Sequence, residues 1–177
     1  MYYLYTMALT QYHAQFFTAT ILEWKPLLNE NRYKDIIIES LRFLVKDKRI
    51  VLYAFVLMSN HFHLVWQIQA GHIKENVQRD FLKFTGQMIK YELQKTDPVL
   101  LETFLVKAKD RQYQFWERNA LSIDLFSEAV LMQKIKYIHQ NPVKAGICKE
   151  AEAYKYSSAK YYETGKDDFG FIEHIRG

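Results

Sequence analysis

Residues 57–66 read LMSNHFHLVW, with His61 and His63 on either side of Phe62. On a β-strand, residues i and i+2 share a face. The two imidazoles therefore stand side by side, and Phe62 and Leu64 turn to the opposite face, toward the core. Trp66 shares that core face. Before them, "RIVLYAFVL" at 49–57 reads as a buried strand and "MSN" at 58–60 as a turn. With "HFHLVWQI" at 61–68 as the returning strand, the stretch is a β-hairpin. Neutral imidazoles are good metal ligands, and two on one strand face leave several coordination positions open. The same pair could be ordinary hydrogen-bonded histidines. Six histidines in 177 residues give a chance His-x-His about 0.2 times per chain, so spacing alone does not choose.

Outward from the hairpin, "FFTATILEW" at 16–24 is rich in β-branched and aromatic residues and predicts a strand ended by Pro26. Tyr33, Ile37, Leu41, Leu44 and Val45 form one face of a helix over about 31–47. Val77, Phe81, Phe84, Met88 and Tyr91 do the same over about 72–95, where Asp97-Pro98 is the break. A short helix and a basic loop with Lys107, Lys109 and Arg111 follow. "QYQFWE" at 112–117 reads as a fourth strand. Ser127 is a helix N-cap with Glu128 in the first turn, and Pro142 is expected to stop that helix near Asn141. The Tyr-rich tail from 150 reads as a short helix and packed loops. The order strand, helix, strand, strand, helix, strand is that of a ferredoxin-like, split βαβ fold of the α+β class. Its antiparallel sheet carries helices on one face, and one further helix follows toward the C-terminus.

A length of 177 residues suits one domain, spanning 1–177, with a core of its own. Hydrophobic residues at 49% and charged residues at 25% are ordinary globular values. A single cysteine, Cys148, forms no internal disulfide, which fits a reducing, cytoplasmic setting. No Lys or Arg precedes Lys25, unlike a signal peptide. The longest apolar run, "IVLYAFVLM", is well short of the ~20 residues that cross a bilayer, so no membrane role is expected. The net charge of +4 permits a polyanionic partner without requiring one.

The last predicted helix carries "KIKYIHQNPVKAG" at 134–146. Leu131, Ile135 and Ile138 are its apolar stripe. Tyr137 lies beside that stripe and shares its face with Lys134 and Asn141. A hydroxyl beside an ammonium and a carboxamide suits polar chemistry, although with 13 tyrosines in the chain most must be packing residues.

Together, "FVLMSNHFHLVW" at 55–66 and "KIKYIHQNPVKAG" resemble the one-tyrosine HUH (IS200-like) transposases, and the second segment resembles the REP-associated tyrosine transposase branch. "QRDFLKFTGQMI" at 78–89, "QFWERN" at 114–119 and "YKYSSAKYY" at 154–162 add to it, so that the likeness spans residues 12–172. It implies the same ferredoxin-like fold, with Tyr137 as nucleophile. It implies a Mg²⁺ or Mn²⁺ ion on His61 and His63. Asn141 occupies the place of a third ligand, where the insertion-sequence branch has a glutamine one methylene longer. The reaction implied is transesterification of single-stranded DNA carrying a hairpin or palindrome, by a monomer or homodimer, through a 5′-phosphotyrosine and a free 3′-OH. No phosphate loop of the G-x-x-x-x-G-K-[ST] type is present, as fits a reaction that conserves the phosphodiester energy. Lys83, Lys90, Lys107, Lys109, Arg111 and Lys134 are candidates for the phosphate path. The alternatives are a domesticated protein that grips hairpin DNA without cutting, and a metal hydrolase using the histidines without Tyr137.

Overall fold

The computed structural model describes residues 13–176, so the N-terminal reading on residues 1–12 and the ends of the 1–177 span lie outside the described residues. Four strands form one antiparallel sheet: β1 (Ala14–Thr20), β2 (Ile50–Leu57), β3 (His61–Ile68) and β4 (Leu121–Leu125). Their order is β2-β3-β1-β4. Helices α1 (Asn31–Lys46) and α2 (Lys74–Thr96) make the two crossovers of the ferredoxin-like arrangement. No helix among the described residues is long and apolar enough to cross a membrane.

The strand alternation read from the hairpin decides the layers. Phe17 of β1 and Phe62, Leu64 and Trp66 of β3 pack with Ile37, Leu41, Phe81 and Ile89 of α1 and α2. Phe17 and Trp66 stack at 5.0 Å. The opposite face, with Phe16, Val56, Val65 and Leu125, is covered by Leu131, Ile135 and Ile138. Those three belong to the tyrosine-bearing helix, α4 (Glu128–Lys144). The sheet is thus buried on both sides, and the additional helix lies on the histidine face. Between α2 and β4, Asp97 accepts from Leu100 N to cap a five-residue helix, α3 (Pro98–Glu102).

Two boundaries differ from the sequence reading. The fourth strand is Leu121–Leu125, not 112–117. In the latter segment the adjacent Phe115 and Trp116 both enter the same core cluster. A regular strand sends neighbours to opposite faces, so the segment runs irregularly with isolated bridges Leu105–Tyr113 and Ile21–Trp116. Secondly, Pro142 does not stop α4, which continues to Lys144. The helix ends in a Schellman motif, with Gly146 N–H donating to Val143 O and Ile147 N–H to Pro142 O, both at 2.9 Å. Gly146 takes the left-handed conformation there, φ +70°.

The tail closes the β2 edge of the sheet. Leu57 N–H donates to Tyr156 O, and Ser158 N–H to Phe55 O. The Ser158 hydroxyl also accepts from Phe55 N–H and meets His139 Nε2 at 2.7 Å, tying α4, tail and β2 together. A last short helix, α5 (Ala159–Thr164), follows. Burial holds the His139 imidazole down to about 4. The unfolded chain, with an ordinary imidazole near 6.5, binds a proton that the native one refuses. The His139 share of stability should therefore be lost as pH drops below about 6.5 and level off beneath about 4, amounting to about 3 kcal/mol in full. Urea melts at stepped pH check this, and His139→Gln should flatten its share of the slope.

Candidate active site

Antiparallel register sets the site. Thr18 lies opposite His63 and Thr20 opposite His61. The two imidazoles sit side by side on the α4 face of β3, ring centres 4.8 Å apart. His63 is buried and stacked on Phe16 at 5.2 Å. Tyr137 faces it from α4, ring centres 5.5 Å apart. The structure thus brings His61, His63 and Tyr137 to one place.

Each imidazole is fixed through Nδ1. Asn60 Oδ1 is 2.7 Å from His61 Nδ1. A carboxamide oxygen only accepts, so Nδ1 carries the proton and Nε2 keeps its lone pair. His63 Nδ1 meets the Thr18 hydroxyl at 2.7 Å, again leaving Nε2 as the free ring nitrogen. Burial lowers the His61 imidazole. His63 is held at about 3 by burial first, then by His61 and Lys134. Both rings are therefore neutral at pH 7, the form that can ligate. This donor set fits a divalent ion that accepts two nitrogens and takes its remaining oxygens from water or a phosphate. Among the described residues no group of three or more His, Cys, Asp or Glu side chains could hold a metal.

Asn141 Nδ2 donates to the Tyr137 carbonyl one turn back, 2.9 Å away. We expect Asn141→Ala to lower stability by about 1 kcal/mol, the scale of one partly exposed hydrogen bond. The Mn²⁺ concentration giving half-maximal activity should not move. A shift of tenfold or more would bring Asn141 into the metal site.

Tyr137 is 42% exposed, so its ring is open to a substrate. Lys134 Nζ lies 5.8 Å from its ring centre and 4.7 Å from that of Phe16. Lys144 Nζ lies 5.6 Å from the Tyr137 ring. Two ammonium groups thus flank the hydroxyl-bearing residue, a setting that attracts a phosphate.

Of the other basic candidates, Lys83, Lys90 and Arg111 line one cleft of about 660 Å³ with Arg79 and Arg118. Asp110 and Glu117 are the acidic residues in its lining. Lys107 and Lys109 are exposed in the preceding loop, outside the cleft lining. Sequence reasoning missed Thr18, Asn60, Lys144 and Arg118. Asn60 stands directly before His61 and was within reach of a local reading. Thr18 is not, because only strand register places it against His63.

No protein-family profile matches the sequence, and no curated protein matches it. Among solved structures, the chain is similar to the REP-associated tyrosine transposase bound to a REP hairpin. The superposition has a TM-score of 0.65 at 15% identity, over 93% of this chain and 88% of that one. The fold is therefore the fold of that transposase. A candidate transposase of Deinococcus radiodurans R1 superposes more loosely, with a TM-score of 0.43 at 17% identity over 72% of this chain and 88% of that one.

Proposed function

We propose that this chain is a one-tyrosine HUH enzyme of the REP-associated transposase type, which nicks and rejoins single-stranded DNA. The observation that carries the reading is the convergence of two neutral, Nδ1-anchored imidazoles with an exposed tyrosine, its ring 5.5 Å from that of His63. Two motifs 70 or so residues apart in sequence meet in one site. The shared fold of a transposase bound to a REP hairpin supports a hairpin-bearing DNA substrate.

In this reading Tyr137 Oη attacks a backbone phosphorus. A P–O bond to the tyrosine forms as the bond to the 3′ oxygen breaks. The phenolic proton passes to solvent and the departing 3′ oxygen takes one up, so the number of phosphate ester bonds is unchanged. Reversal by a 3′-OH reseals the strand without an external energy source. Lys134 and Lys144 hold the phosphate by its charge beside the phenol. His61 and His63 would hold a Mg²⁺ or Mn²⁺ ion, which supplies charge neutralisation of the phosphate and stabilisation of the leaving oxygen. Thr18 and Asn60 keep both Nε2 atoms turned outward for it. The cleft of Arg79, Lys83, Lys90, Arg111 and Arg118 offers a path for the strand's phosphates.

The test is a denaturing gel of the chain incubated with labelled, hairpin-bearing single strands and Mn²⁺ or Mg²⁺. A covalent protein–DNA band is expected, absent in excess EDTA and restored by added metal. DNA bound with no covalent band under any metal condition would instead leave a hairpin-gripping protein. Cleavage undiminished in EDTA would remove the metal from the mechanism.

A further inference from the structure

Just after β1 the chain makes one tight 3₁₀ turn, Leu22–Trp24. Glu23 and Trp24 there take φ values of +56° and +57°. That left-handed conformation is unfavourable for residues bearing a Cβ, and a tryptophan in it is an outlier that the surroundings must enforce. They do so on several sides. Leu22 N–H donates to Phe115 O at 2.7 Å, and Trp24 N–H to Ile21 O at 2.9 Å. Glu23 N–H donates to the Glu117 carboxylate at 2.6 Å. Asn60 Nδ2 donates to the Trp24 carbonyl at 3.3 Å.

The product of this constraint is an indole held out of the core. Trp24 is 63% exposed, against 0% for Trp66 and 7% for Trp116. Its ring centre lies 6.3 Å from that of His61. Asn60 joins the two, since the carboxamide that holds the Trp24 carbonyl also fixes the His61 ring. Isolated exposed apolar residues need no explanation. A strained one, hydrogen-bonded into the same network as a site histidine, does.

We infer that Trp24 is a stacking platform for an unpaired base of the strand whose phosphate enters the His61–His63–Tyr137 site. Every nucleobase offers a π-face, and an open indole is a strong partner for it without reading sequence. The inference rests on the DNA reading above. The rigid turn sets the platform beside the imidazoles before DNA arrives, so the flanking nucleotide is positioned together with the phosphate.

The experiment uses the full chain in EDTA, so that no strand is cut, with a labelled hairpin bearing unpaired flanks. Anisotropy reads binding and tryptophan emission reads stacking. Because the other two tryptophans are buried, emission should quench with the same midpoint as the anisotropy. Trp24→Ala should weaken binding about tenfold or more and abolish the quench, and Trp24→Phe should recover most of the affinity. Trp24→Gly accepts the left-handed backbone, so it should fold at least as stably as wild type and still bind weakly. That separates stacking from a structural role. Wild-type affinity in Trp24→Ala, with DNA binding intact, would overturn the stacking role alone. A wild-type chain that binds no strand would overturn the DNA reading, and this inference with it.

Discussion

Tyr137→Phe is expected to abolish the covalent protein–DNA product while leaving DNA affinity within a few-fold of wild type. The substitution removes one oxygen and keeps the ring. The edge contacts to Phe16 at 6.1 Å and His63 at 5.5 Å survive, as do the positions of Lys134 and Lys144 over the ring. The Tyr137 hydroxyl has no hydrogen-bond partner among the described residues, so stability should change by less than about 0.5 kcal/mol. The rate of adduct formation should drop by roughly 10⁴-fold or more, the scale on which loss of a nucleophile registers in other covalent enzymes. Other tyrosines are poor substitutes. Tyr154 and Tyr162 are pushed up to about 12, mainly by burial, and each is engaged with a backbone carbonyl. Tyr33 is buried in the core. A wild-type level of adduct from Tyr137→Phe, read on a denaturing gel, would show that another of the 13 tyrosines or another chemistry does the work.

What the sequence disclosed follows from which forces are local. The hairpin was legible because a turn tripeptide separates two runs whose side chains obey a period of two. β3 accordingly begins at His61 and ends at Ile68, as read. The tyrosine helix was legible from a serine cap and an apolar stripe, and Ser127 does accept from Val130 N–H. The fourth strand is hard to place from sequence because "QYQFWE" has strand composition, whereas "LSIDL" turns its polar residues toward α2. Ser122 accepts from Gln78, and Asp124 pairs with Lys74. An apolar-inside rule discounts such a strand. Pro142 predicts a stop, yet it is tolerated in the last turn of a helix secured by the Gly146 motif. The Thr18–His63 pair and the Trp24–Asn60–His61 chain depend on register between segments some 40 residues apart, so no local pattern carries them.

Removing both imidazoles, His61→Ala with His63→Ala, should stop cleavage as completely as losing the tyrosine, but by a distinguishable route. Tyr137 stays intact and the basic cleft is untouched, so DNA affinity measured in EDTA should remain within a few-fold. Metal response is the separating quantity. A ligand that binds only the native state raises its melting temperature by mass action. Millimolar Mn²⁺ should therefore stabilise the wild-type chain and Tyr137→Phe alike, and leave the double variant unmoved. Part of the double variant's lower baseline stability, about 1–2 kcal/mol, reflects the stranded Thr18 hydroxyl and the space left beside Phe16. Thr18→Val tests the anchor of His63 separately. It frees His63 Nδ1 without deleting the ring, and the loss of an anchor to a ligating histidine costs about 10- to 100-fold in metal affinity. Its cleavage should fall at low Mn²⁺ and recover as Mn²⁺ is raised, whereas the double variant should recover at no concentration. If the double variant cleaves at the wild-type rate, or if Mn²⁺ stabilises it as it does the wild type, the two histidines are only core residues of β3, and Tyr137 acts without them.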